Sequence, residues 1–313
     1  MTGTDTILLW GLPSDPPLRA VRNALQGTQR RTILLNQQSI VDTTVELVVG
    51  SSIGGRLCFG NEAIDLASVR AAYLRPCDPW NLPGLARAGG NAEMRQFAVD
   101  QHDALFLWAD LTPSLVLNRP KSMASNDSKP YQALLIERHG FFIPETLLTT
   151  DPEAALEFWK LHGEVIYKPI CATRSIVSRF TAGHIPRLKD IASCPTQFQQ
   201  YIHGTDYRVH VVGKKIFACR IIAQEVDYRF PRNGVEIQSC DIPGDVADRC
   251  RRLSHSLELP LSGIDLRCTP DRDWYCFEVN PSPLFTFFEE ATGQPIGEAI
   301  AALLESGHLA GNT

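Results

Sequence analysis

Residues 263–283 read GIDLRCTPDRDWYCFEVNPSP. The stretch predicts two short strands joined by a polar turn around Pro270 and Asp271. Side chains two apart on a strand share a face. Ile264, Leu266 and Cys268 therefore share one face of the first strand, and Asp265 and Arg267 share the other. In the second strand Tyr275, Phe277 and Val279 form an apolar face, while Glu278 and Asn280 point the opposite way. If the apolar faces enter the core together, Asp265, Glu278 and Asn280 converge on one polar surface beside Arg267. Two carboxylates and an amide are hard oxygen donors. They suit magnesium, which keeps its other positions for water and phosphate oxygens, whereas zinc would want His or Cys. Pro281 and Pro283 end the second strand and fix the chain direction beside Asn280. Spacing alone favours an ordinary solvated hairpin face, because acidic residues are common on exposed faces.

The wording of the stretch goes further. An Asp on one strand and Glu-Val-Asn-Pro on the next resembles the metal-binding end of the ATP-grasp enzymes, a family of ATP-dependent carboxylate–amine and carboxylate–hydroxyl ligases. Other parts of the chain carry the same resemblance. Lys129 opens a helix that Ser128 or Asp127 can cap, with Pro130 in its first turn, and Pro144-Glu145-Thr146 follows. A cation at a helix start opposes the macrodipole, so helix propensity does not explain Lys129. Val165–Pro169 is a strand with Lys168 near its end. The two lysines resemble the family's nucleotide-binding pair and would meet phosphate as point charges. Gln200, Tyr201 and Ile202 resemble the family's hinge, where backbone groups read adenine. The segment Cys171–Ser178 stands where the phosphate-covering loop would be and contains no Gly.

The phrase Asp206-Tyr207-Arg208-Val209-His210-Val211-Val212-Gly213 is similar to the branch that holds RimK-type amino-acid ligases and graspetide-type peptide ligases. Gly213, Lys214 and Lys215 make a hairpin turn, so Arg208 and Arg220 lie on its two strands. Either guanidinium could hold a carboxylate or acyl phosphate, and Arg229 in Asp227-Tyr228-Arg229 resembles a further substrate-side element. Glu289 to Ile296, EEATGQPI, looks most like the graspetide-type (microviridin-type) ligases, which close ester or amide rings in a precursor peptide.

The whole chain is consistent with such an enzyme. Its 313 residues are enough for two or three lobes, with 44% hydrophobic and 21% charged residues. A net charge of −5 argues against a general nucleic-acid binder. The nine cysteines form no Cys-x-x-Cys pair, which suits reduced thiols in a cytosolic protein. No signal-peptide pattern and no membrane-length apolar run is present, so a soluble cytoplasmic protein is expected.

Strand signals at 7–10, 32–35, 45–49, 71–75 and 115–118 alternate with helix signals at 16–25 and 91–110. They predict an α/β lobe with a largely parallel sheet, in which Met94, Ala98, Leu105 and Trp108 line one face of the long helix. There is no Gly-x-Gly-x-x-Gly after its first strand. Tyr73–Pro76 resembles the Arg-containing strand end of the pre-ATP-grasp domain in peptide-modifying members.

The resemblance implies a pre-ATP-grasp α/β domain over 1–120, and an α+β ATP-grasp core. That core divides into a central subdomain over 121–202 and a metal- and substrate-binding subdomain over 203–313. It implies ATP and Mg2+ as cofactors, with Lys129, Lys168, Gln200, Tyr201, Ile202 and Asp206 on the nucleotide. Asp265, Glu278 and Asn280 would hold the metal, and Arg208, Arg220 and Arg229 would serve catalysis. The implied reaction activates a carboxylate as an acyl phosphate, releases ADP and passes the acyl group to an amine or hydroxyl. A precursor peptide, leader plus core, is the implied partner, and a homodimer is an implied assembly. Two other readings remain. A RimK-like ligase would add a free amino acid to a peptide or small acid, and a nucleotide-binding module would lack ligase activity.

Overall fold

The computed structural model describes residues 5–82, 85, 92–124, 128–169, 177–223 and 234–309. The first lobe starts with β1 (Thr6–Gly11), α1 (Pro16–Ala24) and β2 (Arg31–Asn36). β3 (Thr43–Val49), β4 (Ile53–Phe59), β5 (Glu62–Asp65) and β6 (Val69–Arg75) follow, and α2 (Ala92–Leu111) and β7 (Leu115–Leu117) close the lobe. Strands β2-β1-β6-β7 form an all-parallel sheet. A parallel sheet is covered on both faces, and its strands read as unbroken apolar runs. Ile7, Leu8, Leu9 and Trp10 are accordingly all buried.

Two expectations for this lobe need correction. The strand at 45–49 is not part of the parallel sheet. It is β3, paired antiparallel with β4, which pairs in turn with β5, in a separate three-stranded sheet. The glycine pair Gly54-Gly55 weakens the strand signal of β4, but the geometry requires Gly55. Its φ is +141°, and a Cβ there would overlap the Glu46 carbonyl oxygen. The second correction is Met94, which is exposed on α2, while Ala98, Leu105 and Trp108 are buried.

α3 (Pro120–Met123) and α4 (Lys129–Arg138) lead into the central sheet, with β8 (Thr146–Thr149), α5 (Pro152–His162), β9 (Val165–Pro169), β10 (Ser178–Arg179) and β11 (Thr196–Gln200). Its strand order is β10-β9-β11-β8, all antiparallel. The last sheet holds β12 (Thr205–Val212), β13 (Lys215–Ile222), β14 (Glu236–Ser239), β15 (Leu261–Cys268) and β16 (Trp274–Asn280) in the order β14-β13-β12-β15-β16. α6 (Gly244–Ser256) precedes β15, and α7 (Thr286–Thr292) and α8 (Ile296–Ser306) follow β16. Among the described residues no helix is long and apolar enough to cross a membrane. The described cysteines are all free thiols.

The first and last lobes share a core. Ile7, Leu9, Leu18 and Tyr73 pack with Leu261, Phe285, Ile300 and Leu304. A buried amide secures the same junction. Asn118, 2% exposed, donates from Nδ2 to the Leu261 and Pro281 carbonyls, at 2.6 and 2.5 Å, and accepts from the Leu261 N–H at 3.2 Å. It thereby ties both ends of the β15–β16 hairpin to the first lobe. Asn118→Ala leaves three backbone groups without these bonds. Each unpaired buried group costs about 1–3 kcal/mol, so this variant should unfold at a clearly lower denaturant concentration, as measured by urea titration.

Candidate active site

The register of β12 against β15 builds the site floor. Asp206 pairs with Arg267, and Arg208 pairs with Asp265. The two strands carry the same Asp-x-Arg pattern, DYR and DLR, running in opposite directions. Antiparallel pairing therefore sets each acid opposite a cation. Arg208 donates from Nη1 to Asp265 Oδ1 at 2.6 Å. Arg267 grips Asp206 with Nε and Nη2 at 2.6 and 2.7 Å, and donates from Nη1 to the Ile202 carbonyl at 2.7 Å. Asp206 thus orients Arg267. Through Arg267 it fastens the segment after the central sheet to the β15–β16 hairpin. Burial opposes the charge on Arg267, and the Asp206 fork outweighs it, holding the guanidinium pKa above its usual value.

β15 and β16 bring the predicted donors together. Asp265 lies directly opposite Glu278, and Gly263 lies opposite Asn280. Asn280 is two residues from Glu278 and on the same face. Its Oδ1 accepts the Ser282 N–H at 2.8 Å. The pairing slips by one residue between Asp265 and Leu266, so Leu266 lies opposite Cys276 and Phe277 is the extra residue. A bulge of this kind re-aims side chains beside a site. It corrects the expectation for this strand. Trp274, Cys276 and Val279 enter the core, whereas Tyr275 and Phe277 do not. Phe277 instead lines the cleft, with the Arg267 guanidinium 5.2 Å from its ring centre.

Lys129 reaches this pair from the start of α4. Its Nζ contacts Glu278 Oε1 at 2.5 Å. One turn on, the Gln132 side chain behaves as a short piece of strand. Its Nε2 donates to the Val279 carbonyl and its Oε1 accepts the Val279 N–H, both at 2.9 Å. This docks α4 on the outer edge of β16, beyond the stretch where Phe142 pairs with it, and places Lys129 at Glu278. Ser128 is the N-cap residue but makes no side-chain capping bond, and Asp127 lies outside the described residues.

Burial would raise the Glu278 pKa, but Lys129, followed by Arg208 and Lys168, outweighs it and holds the carboxyl below its usual range. A carboxyl that binds its proton less tightly when folded stabilises the protein above its unfolded pKa. That contribution is lost as pH falls through the folded value. In Lys129→Met the folded value moves up. Acid unfolding followed by tryptophan fluorescence should then begin at a higher pH than in the wild type.

These groups open into a cleft of about 760 Å3 between the central and last sheets. One part is cationic and acidic, with Lys129, Lys168, Asp206, Asp265, Arg267 and Glu278. The rest includes Ile143, Leu148, Ile166, Val177 and Leu266. The first part suits phosphates with a divalent cation, and the second suits a flat heterocycle. Magnesium fits the donor set, because two carboxylates and an amide share one face and each carboxylate already faces a cation. Among the described residues no cluster of three His, Cys, Asp or Glu offers an alternative metal site.

Several sequence expectations are placed elsewhere. Arg220 lies opposite Tyr207, whereas Arg208 lies opposite Cys219. Neighbouring strand residues face opposite ways, so Arg220 leaves the other face of the sheet and donates to Gln238 Oε1 at 2.6 Å. It does not join Arg208. Gln197 and Gln199 line the cleft, which turns Gln200 away from it. The Gln200 N–H donates to the Glu145 carbonyl and the Tyr201 N–H to that of Glu164. The Ile202 carbonyl is taken by Arg267. Tyr201 stacks under Arg179, whose guanidinium is 4.1 Å from the ring centre. Arg229, with Asp227 and Tyr228, lies outside the described residues, as do residues 171–176 of the expected phosphate loop.

Solved structures resemble this one over nearly their whole length. The macrocyclase MdnC of Microcystis aeruginosa MRC, bound with precursor peptide MdnA, is 21% identical. It superposes with a TM-score of 0.81 over 96% of this chain and 99% of its own. The ATP-grasp ligase PsnB, complexed with minimal precursor, is 26% identical with a TM-score of 0.78, covering 97% and 99%. A RiPP-associated ATP-grasp ligase of Chryseobacterium gregarium, in complex with ADP and a leader and core peptide, is 19% identical with a TM-score of 0.82, covering 97% of each chain. No family model matches the sequence, and no curated protein does.

Proposed function

We propose, from the ATP-grasp fold this chain shares with those ligases, that it is an ADP-forming ligase acting on a ribosomally made precursor peptide. It joins a side-chain carboxylate of the peptide to a side-chain hydroxyl or amine. The observation that carries this is the cleft in which Lys129, Lys168, Asp265 and Glu278 meet, in a fold whose solved examples hold precursor peptide and ADP. Magnesium held by Asp265, Glu278 and Asn280 would supply charge neutralisation for the ATP phosphates. Lys129 and Lys168 bind the terminal phosphates. Lys129 contacts Glu278, beside the proposed metal donors, where phosphate would arrive. Arg208, held by Asp265 at 2.6 Å, is the cation assigned to the developing acyl phosphate, and its preset position needs no reorganisation when charge appears. Phe277, Leu266 and Ile166 take the adenine. Residues 1–120, 121–202 and 203–313 act as three lobes, the first built on two sheets and the others on one each, and the cytoplasm supplies ATP and magnesium. A homodimer is the proposed assembly.

Incubation of a precursor peptide encoded beside this gene with the protein, ATP and Mg2+ tests the proposal by intact mass. Loss of one or more waters is the expected result. A gain equal to an added amino acid would move the protein to RimK-like chemistry. An unchanged mass with the peptide bound would overturn the ligase assignment for that peptide.

A further inference from the structure

The described lining of the cleft contains no residue of the first lobe. One cation of that lobe nevertheless reaches the strand end that carries Asn280. Arg75, the last residue of β6, has a side chain only 8% exposed. Its Nε donates to Asp15 Oδ2 at 2.5 Å and its Nη2 to Oδ1 at 3.3 Å. Its Nη1 crosses to the last lobe and donates to Ser282 Oγ at 2.8 Å and to the Pro283 carbonyl at 3.4 Å. Asp15 is fixed in turn, because Oδ2 caps α1 by accepting the Leu18 N–H at 3.0 Å. At the far end the Ser282 N–H holds Asn280 Oδ1.

This makes a continuous relay from the start of α1 through Asp15, Arg75 and Ser282 to the amide of Asn280. Asn280 needs such a relay, because the terminal torsion of an Asn side chain is broad and does not choose its own orientation. The Ser282 N–H makes the choice by holding the oxygen. Ser282 itself is exposed, between two buried prolines that cannot donate a backbone hydrogen bond. Arg75 grips its hydroxyl. A planar guanidinium can hold Asp15 and Ser282 together, which an ammonium cannot do with the same geometry.

We infer that Arg75 is a positioning residue for the Asn280 oxygen, acting through Ser282 from outside the nucleotide lobes. The inference rests on the magnesium–nucleotide role proposed above for Asp265, Glu278 and Asn280. It is tested on the full chain by calorimetric titration of ADP at a series of Mg2+ concentrations, with thermal midpoints measured alongside. Arg75→Ala and Ser282→Ala should each raise the Mg2+ concentration for half-maximal ADP binding by about tenfold, the lower end for partners that orient a metal ligand. The double variant should be no worse than the poorer single one, because the two residues act in series. Arg75→Lys should recover the thermal midpoint through Asp15 while the Mg2+ shift persists. A lowered midpoint in Arg75→Ala with wild-type Mg2+ dependence would overturn the inference and leave Arg75 as a clasp between lobes. Wild-type ADP binding that ignores Mg2+ would instead overturn the nucleotide assignment, which is a separate result.

Discussion

Glu278→Gln is expected to remove nearly all peptide-dependent ADP release while the protein stays folded. Glu278 sits opposite Asp265 and beneath Lys129, in the charged part of the cleft. The amide keeps the size of the side chain but removes one of the two carboxylates proposed as metal donors, and it removes the charge that Lys129 contacts. Preset charge that acts on a developing anion is worth about 3–4 kcal/mol, or roughly 10²–10³ in kcat. Stability should fall modestly, because the ionised Glu278, whose pKa is held below its usual range, contributes to stability at neutral pH, while the Lys129 side chain it contacts is 40% exposed and keeps its access to water. Peptide-coupled ADP production measured beside the thermal midpoint checks both parts. Wild-type turnover in this variant would remove Glu278 from the site.

Much of this site is legible in the sequence because strand alternation is local. Glu278 and Asn280 share a face by spacing alone, and the strand register sets Asp265 directly opposite Glu278. What spacing could not give was the slip at Phe277. Nothing in FEVN announces an extra residue, and one extra residue reverses the face of everything before it. Tyr275 and Phe277 were therefore expected in the core, where Trp274 and Cys276 lie. The pairing of Arg208 with Asp265 and of Arg267 with Asp206 left a visible signal, the Asp-x-Arg repeated on two strands. Its meaning depends on an antiparallel register between segments about sixty residues apart, as the separations of 57 and 61 positions show.

Gln132 and Arg75 are harder still. Each meets backbone or side-chain groups more than a hundred positions away, and a Gln inside a helix or an Arg at a strand end has no periodicity to mark it. In the first lobe the parallel strands were readable as apolar runs. The sheet of β3, β4 and β5 was not, because the glycines of β4 weaken the strand pattern where close packing against Glu46 requires them.

Gly263→Ala should be as damaging to turnover as Glu278→Gln, by a different physical route. Gly263 lies between the Arg208 guanidinium and Pro283. A Cβ there would overlap Arg208 Nη2 and come within 2.7 Å of its Cζ and 2.8 Å of Pro283 Cβ. Arg208 is 5% exposed, tied to Asp265 and placed over the Phe288 ring at 5.6 Å. It has little room to yield, so the methyl pushes the cation off Asp265 without removing either charge. Overpacking of this kind costs about 1–3 kcal/mol of stability. Misplacing a catalytic group by about 1 Å costs roughly 10²-fold in rate. Gly263→Ala should therefore lower both the thermal midpoint and kcat, while ADP binding in the aliphatic part of the cleft, some residues away along β15 at Leu266, weakens far less. The comparison with Arg208→Met separates position from charge. Equal losses of kcat in the two variants would mean that Arg208 acts only where Gly263 lets it lie. A Gly263→Ala enzyme with wild-type kcat would show that the cation is not needed at Asp265 during turnover.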